Sequence, residues 1–310
     1  MSESVIITGG SGLIGRALTE QLLRLRYDVV ILTRNPSRVG VKRNGALRFV
    51  LWDGSSPQGW LKYVEGAYGI VNLAGHGIAS GRWNSEEKRR ILDSRMRAGG
   101  AVHDAVKLAI RRPRVVVQAS AIGFYGNGGD DLLDESSPRG SEFLSEVAEQ
   151  WEGTTAPVER LGVRHVVIRT ALVLGRGAEF IRRISLPFKL GVGGPQGSGL
   201  QWVSWIHVED EALAICFLLG RSDLGGVFNL SSPEPVRNEE FSKAIGRALH
   251  RPCWLQIPAF VLELGLGEMA KELILSSKRV MPKRLLDAGF VFRHPDIDAA
   301  VLDVVSSGKE

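Results

Sequence analysis

Three glycines, Gly9, Gly12 and Gly15, punctuate the stretch IITGGSGLIGRAL at residues 6–18, with Leu13 and Ile14 between the last two. Such a spacing suits the grip of a pyrophosphate. The first glycine permits a tight turn, the second lets backbone approach the ligand, and the third allows strand and helix to pack closely. The helix that follows then aims its first N–H groups at the negative charge. About twenty residues further on, an acid would bind the 2′-hydroxyl of an NAD ribose, but this chain reads Thr33-Arg34 there. A guanidinium matches a 2′-phosphate in charge and in planar hydrogen-bonding geometry, so the pattern points to NADP(H), with Arg38 a possible assistant. Asp53 is a candidate for the adenine edge and equally for capping a turn.

Positioning these groups requires strands and helices in alternation. Apolar runs begin at Val5, Asp28, Leu47, Tyr68, Arg114 and Val163, each bounded by glycine or turn residues. Between them lie helical patterns, at RALTEQLLRLR from Arg16, at residues 84–111 and at residues 141–155. Asn84 with Glu87 three residues on forms a capping-box signature. The alternation predicts an α/β fold built on a doubly wound parallel sheet. Residues 1–175, with 203–232 returning to them, are expected to form the cofactor domain. Residues 176–202 and 233–310 are expected to form a smaller, mainly C-terminal substrate lobe.

Composition narrows the class. The chain has 310 residues, 44% hydrophobic and 24% charged, which suits a globular protein with a sizeable core. Its two cysteines, Cys216 and Cys253, have no metal-site neighbours, so neither a disulfide framework nor a metal site is expected. A formal charge of +5 is spread along the chain rather than clustered, which argues against nucleic acid as partner and fits an anionic small ligand. With no long apolar run and no targeting segment before the first strand, a cytoplasmic protein without a membrane partner is expected. No G-x-S-x-G element and no P-loop lysine appears, which leaves hydrolase and kinase readings unsupported.

Further segments carry a resemblance: VNLAG from Val71, GRWNSEEKRRILDSR from Gly81, RTALVLGRG from Arg169, WVSWIHVED from Trp202, FNLSSPEPVRNEEF from Phe228 and MPKRLLDAGFVF from Met281. Together they resemble an atypical, epimerase-family group of the extended short-chain dehydrogenase/reductases. Members of that group have been described as nucleoside-diphosphate sugar epimerases and as cell-division-inhibitor-like proteins. The resemblance implies a Rossmann sheet with NADP(H) across the strand ends, and by superfamily habit a homodimer. It places Thr33 and Arg34 by the adenosine phosphate, and Leu73, Ala74 and Gly75 against ribose or pyrophosphate. It has Arg95 reach the cofactor phosphates, with Leu174 near the nicotinamide. The alternative for Arg95 is a surface ion pair.

The superfamily's usual chemistry needs a tyrosine that exchanges a proton, a lysine four residues later and a serine. No Tyr-x-x-x-Lys occurs here; the matching place reads Phe143 to Val147, and Ala121 stands where the serine belongs. Val203 replaces the arginine that binds a sugar nucleotide's diphosphate. Tyr125 is the remaining candidate for catalysis, with Ser120 and Lys88 behind it, although it also reads as a packing aromatic. His207 reads as a brace at the lobe junction, and Trp83, Trp202 and Trp205 as pocket or core. The sequence therefore supports an NADP(H)-binding oxidoreductase or epimerase acting on a carbonyl or hydroxyl substrate, or else a non-catalytic NADP(H)-binding protein.

Overall fold

A computed structural model describes residues 3–35, 45–79 and 81–305. Seven parallel strands form the central sheet: β1 (Ser4–Thr8), β2 (Asp28–Thr33), β3 (Leu47–Leu51), β4 (Gly69–Asn72), β5 (Val115–Ala121), β6 (Arg164–Thr170) and β7 (Gly226–Leu230). Their order is β7-β6-β5-β4-β1-β2-β3. The chain winds outward from β1 through β3, returns, and winds the other way from β4. Strand β1 lies between β2 and β4, with Thr8 opposite both Leu32 and Asn72. In such sheets the crevice where the winding reverses, at the carboxyl ends of the strands, is where ligands bind.

Valine and isoleucine dominate the strands because both faces are covered. Successive side chains alternate between two cores: Val5 and Ile7 enter one, Ile6 the other. Helices α1 (Leu13–Arg24) and α5 (Val208–Gly220) pack on the first face through Leu18, Leu22, Ala212 and Ile215. Helix α2 (Ser85–Leu108) covers the second through Ala98, Val102 and Val106. Helix α3 (Phe143–Thr155) lies beside α2, so closely that a Cβ added to Gly99 would fall 1.9 Å from Thr154 Oγ1. Helix α2 stops three residues short of the sequence expectation. Ala109 is already extended, and Pro113 disfavours helical backbone in the residue before it.

A second body of helices comprises α4 (Glu179–Lys189), α6 (Asn238–Leu249) and α8 (Ile297–Val305). They close around Phe188, Trp205, Phe241 and Val301. Helix α7 (Ala259–Leu266) buries none of its residues. Short strand pairs lie outside the main sheet, among them Leu172–Leu174 with Trp205–His207, and Leu132–Leu133 with Arg279–Val280.

Candidate cofactor-binding site

At the carboxyl edge of β1 the three glycines have distinct physical roles. Gly9 has φ +68°, and a Cβ there would sit 2.7 Å from the carbonyl oxygen of Leu73. A Cβ on Gly15 would sit 2.5 Å from Gly10 Cα, so the turn and the helix would have to part. Gly12 is more open, its one close neighbour being Gly9 O at 3.3 Å. Gly12 also caps α1, and no side chain caps that helix end, nor does an acid lie in its first turn. The first N–H groups, those of Leu13, Ile14 and Gly15, thus sit at a helix start that lacks any negative charge of its own, the condition an anion needs. The side chains of Leu13 and Ile14 point away, Ile14 onto the first face of the sheet and Leu13 onto the second body of helices.

Hydrogen bonds among buried side chains fix the neighbouring strand end. Thr8 Oγ1 donates to Asn72 Oδ1 (2.6 Å) and accepts from the backbone N–H of Ala74 (3.1 Å). Asn72 Nδ2 donates to Gln118 Oε1 at 2.8 Å. Leu73, Ala74 and Gly75 leave the sheet from this clamp. Above Gly75 lies Arg95, whose Cζ would be 3.2 Å from a Cβ placed there. Its Nη1 donates to Ile91 O (2.9 Å) and His76 O (3.1 Å), and the guanidinium stacks over Trp151 at 4.7 Å. No carboxylate among the described residues pairs with Arg95, so the surface ion pair is not its role. Burial pushes its pKa down to about 10.

Helix α2 carries Arg95 and begins on Asn84, whose Oδ1 accepts from Glu87 N–H at 2.8 Å. Only half of the expected capping box forms. The Glu87 carboxylate turns to His76 Nε2 (2.8 Å) and so holds the loop after β4 against the helix.

At the tip of β2, Thr33 Oγ1 accepts from Asn35 N–H, and Arg34 is exposed. Arg38 lies outside the described residues. Asp53 accepts from Ser55 N–H (2.8 Å), Ser56 N–H (2.9 Å) and Ser56 Oγ (2.9 Å), which hold its carboxyl below the usual range. Of its two readings the turn cap is what the geometry displays. Leu174 is wholly buried in the helical body, in the short strand paired with Trp205–His207.

The catalytic candidate is enclosed. Tyr125 is 4% exposed. Its hydroxyl donates to Asn229 Oδ1 at 2.6 Å and accepts from Arg169 Nη1 at 3.2 Å. Burial pushes the phenol further above neutrality, and Arg169 opposes this only in part. In this arrangement the hydroxyl is packed and engaged by Asn229 and Arg169. Ser120 donates to Glu152 (2.6 Å), which pairs with Arg169 through both carboxylate oxygens (2.8 and 2.9 Å). Phe143 and Val147 lie with Trp83, Ile91 and Met269 in an apolar cluster, where Trp83 meets Phe143 edge-on at 5.4 Å. Lys88 lies 4.8 Å over the Phe143 ring and pairs with Glu268.

His207 braces a junction: Nδ1 accepts from Glu209 N–H at the start of α5, and the ring lies tilted against His294, centroids 3.8 Å apart. Trp83 and Trp205 are core, whereas Trp202 is only partly buried, between Arg237 and Arg279. Sequence reasoning missed Glu272, which accepts from the N–H groups of Phe143 (3.2 Å) and Leu144 (2.9 Å) and so caps α3 from 128 residues away. It also missed Glu211, wholly buried against Thr170. Neither has a local signal in the sequence, because each partner comes from a distant element.

A reversing parallel sheet with a glycine-rich turn at its switch point defines a dinucleotide-binding class of protein. Within that class the chain belongs to the NAD dependent epimerase/dehydratase family, whose model matches residues 5–231; a domain of unknown function, DUF1731, matches residues 257–304. It is 36% identical over 310 residues to the epimerase family protein YfhF of Bacillus subtilis, covering 99% of each chain. Human epimerase family protein SDR39U1, crystallised with NADPH, superposes with a TM-score of 0.86 at 28% identity, over 98% of this chain and 99% of that one. A nucleoside-diphosphate sugar epimerase of Corynebacterium glutamicum matches at TM-score 0.79 and 30% identity, over 98% of this chain and 58% of that one.

Proposed function

We propose that the protein binds NADP(H) and acts as an oxidoreductase or epimerase on a small carbonyl or hydroxyl compound. The observation that carries this is the unpaired guanidinium of Arg95 beside Gly75, at the same sheet edge as the uncapped start of α1. A half-buried cation without a carboxylate is costly unless an anion arrives, and a pyrophosphate would supply one. Gly12 would let the backbone approach the phosphates, Leu73 to Gly75 would lie along the ribose, and Arg34 would meet the 2′-phosphate. The NADPH bound by human SDR39U1 supports the same reading. When bound, the nicotinamide supplies or accepts hydride; the chain has to orient the substrate and exclude water.

A second reading has its own support. Phe143 and Val147 lie in an apolar cluster where the family's proton-transfer pair is expected, which favours a protein that binds NADP(H) without turning substrate over. We further propose a cytoplasmic protein without nucleic-acid or membrane partners, acting as a homodimer.

The test is a fluorescence titration of NADPH and NADH against the wild type and Arg34→Glu. Loss of a charge-assisted contact should weaken NADPH by about 10–100-fold and leave NADH within about twofold. Equal losses for both would remove the role given to Arg34. Turnover of NADPH across a panel of carbonyl compounds separates the two readings: oxidation supports the enzyme, and tight binding without oxidation supports the binding protein.

A further inference from the structure

Between the carboxyl end of β5 and the start of α3 lies a cavity of about 180 Å³, whose lining includes Gly123, Asn127, Glu142, Leu144, Lys271 and Lys278. Lys278 is held rigidly there. Its backbone N–H donates to Trp202 O at 3.2 Å, and its carbonyl accepts from Ser204 Oγ at 2.8 Å. The amine has two neutral partners, donating to Glu272 O (3.0 Å) and to Ser276 Oγ.

The nearby carboxylates are already engaged. Glu142 accepts from Asn127 N–H (2.9 Å) and Ser141 N–H (3.0 Å), and Glu272 from the two N–H groups at the start of α3. No described carboxylate lies within ion-pair distance of Lys278 Nζ. An ammonium ion in a partly closed cavity, with only neutral acceptors, gains little that would keep its proton.

We propose that Lys278 is a nucleophilic amine that captures small aldehydes and ketones as an imine inside this cavity. Burial supports this by lowering its pKa to about 8, while Glu142 and Glu272 pull the other way. At pH 8 roughly half of the amine is then neutral, against under about 1% of an exposed lysine. The nitrogen lone pair attacks the carbonyl carbon, and the C–N bond forms as the C=O π bond breaks. The oxygen takes two protons from the amine and leaves as water, and the nitrogen closes the double bond. Atoms and charge balance without an oxidant or reductant.

The experiment treats the full chain with butanal and sodium cyanoborohydride, which reduces the imine to a stable secondary amine, and maps the alkylated lysines by mass spectrometry. At pH 7 Lys278 should be alkylated at least tenfold faster than exposed Lys62 and Lys189. Its rate should level off above about pH 8, where Lys62 continues to climb toward about pH 10. Glu142, Lys271 and Glu272 are the charged groups that line the same space and set that profile. Lys278→Arg, which keeps donors and charge but is not nucleophilic, should lose the cavity label with melting temperature and NADPH binding unchanged. Labelling of Lys278 no faster than Lys62, a rate still rising at pH 10, or capture by Lys271 instead would each overturn the proposal.

Discussion

Two places at the same edge of the sheet differ in kind. Around the glycine turn, the start of α1 has no side-chain cap, the Arg95 guanidinium has no carboxylate partner among the described residues, and a Cβ on Gly9 or Gly15 would collide with backbone. At the start of α3, Phe143, Val147, Trp83 and Met269 satisfy one another by apolar contact. One place is incomplete without a ligand; the other is complete already. The two places rest on different elements, the turn after β1 for the first and the face of α3 for the second.

Four measurements would break or sharpen that contrast. The largest effect belongs to Gly15→Val. With the new Cβ 2.5 Å from Gly10 Cα, the turn must move, so NADPH binding should vanish in titration and stability should drop by roughly 1–3 kcal/mol. Retained binding would mean that the turn does not hold the phosphates. Phe143→Ala, whose ring is partly buried, should cost about 2 kcal/mol in denaturant unfolding while leaving NADPH affinity unchanged. A loss of affinity as large as the loss of stability would merge the two places into one site.

Glu211 comes next. Burial raises its pKa from the usual 4.5 to about 8, with the Thr170 hydroxyl opposing. The folded state therefore keeps a proton that the unfolded chain releases. Stability present below about pH 4.5 is lost progressively as pH rises toward about 8, by on the order of a few kcal/mol. Glu211→Gln should flatten that slope; an unchanged slope would assign it to other groups. The smallest effect is that of Tyr125→Phe. It leaves Asn229 Oδ1 and one Arg169 donor without this partner and should cost about 1–2 kcal/mol, with cofactor binding intact. If turnover of a carbonyl substrate is found and this variant abolishes it, Tyr125 takes part in catalysis.

Much of the binding edge was legible in one dimension. Glycine spacing, the β-branched runs and the Thr33-Arg34 pair are local patterns, and each imposes its constraint within one strand-turn-helix unit. The Asn84 cap is local in the same way, while the other half of its box went to His76. The absence of Tyr-x-x-x-Lys could likewise be read directly, but not what fills its place.

Residue order alone determined the parallel sheet, the glycine turn and the lack of the usual proton-transfer pair, because strand period, turn chemistry and residue type are short-range properties. Only the tertiary structure decided that Arg95 meets no acid among the described residues, that Tyr125 is enclosed, and that Lys278 faces a cavity beside carboxylates committed elsewhere. Those outcomes depend on which distant groups meet and how much water they leave behind. Desolvation and pairing are set by packing between elements, and neighbours in sequence do not encode them.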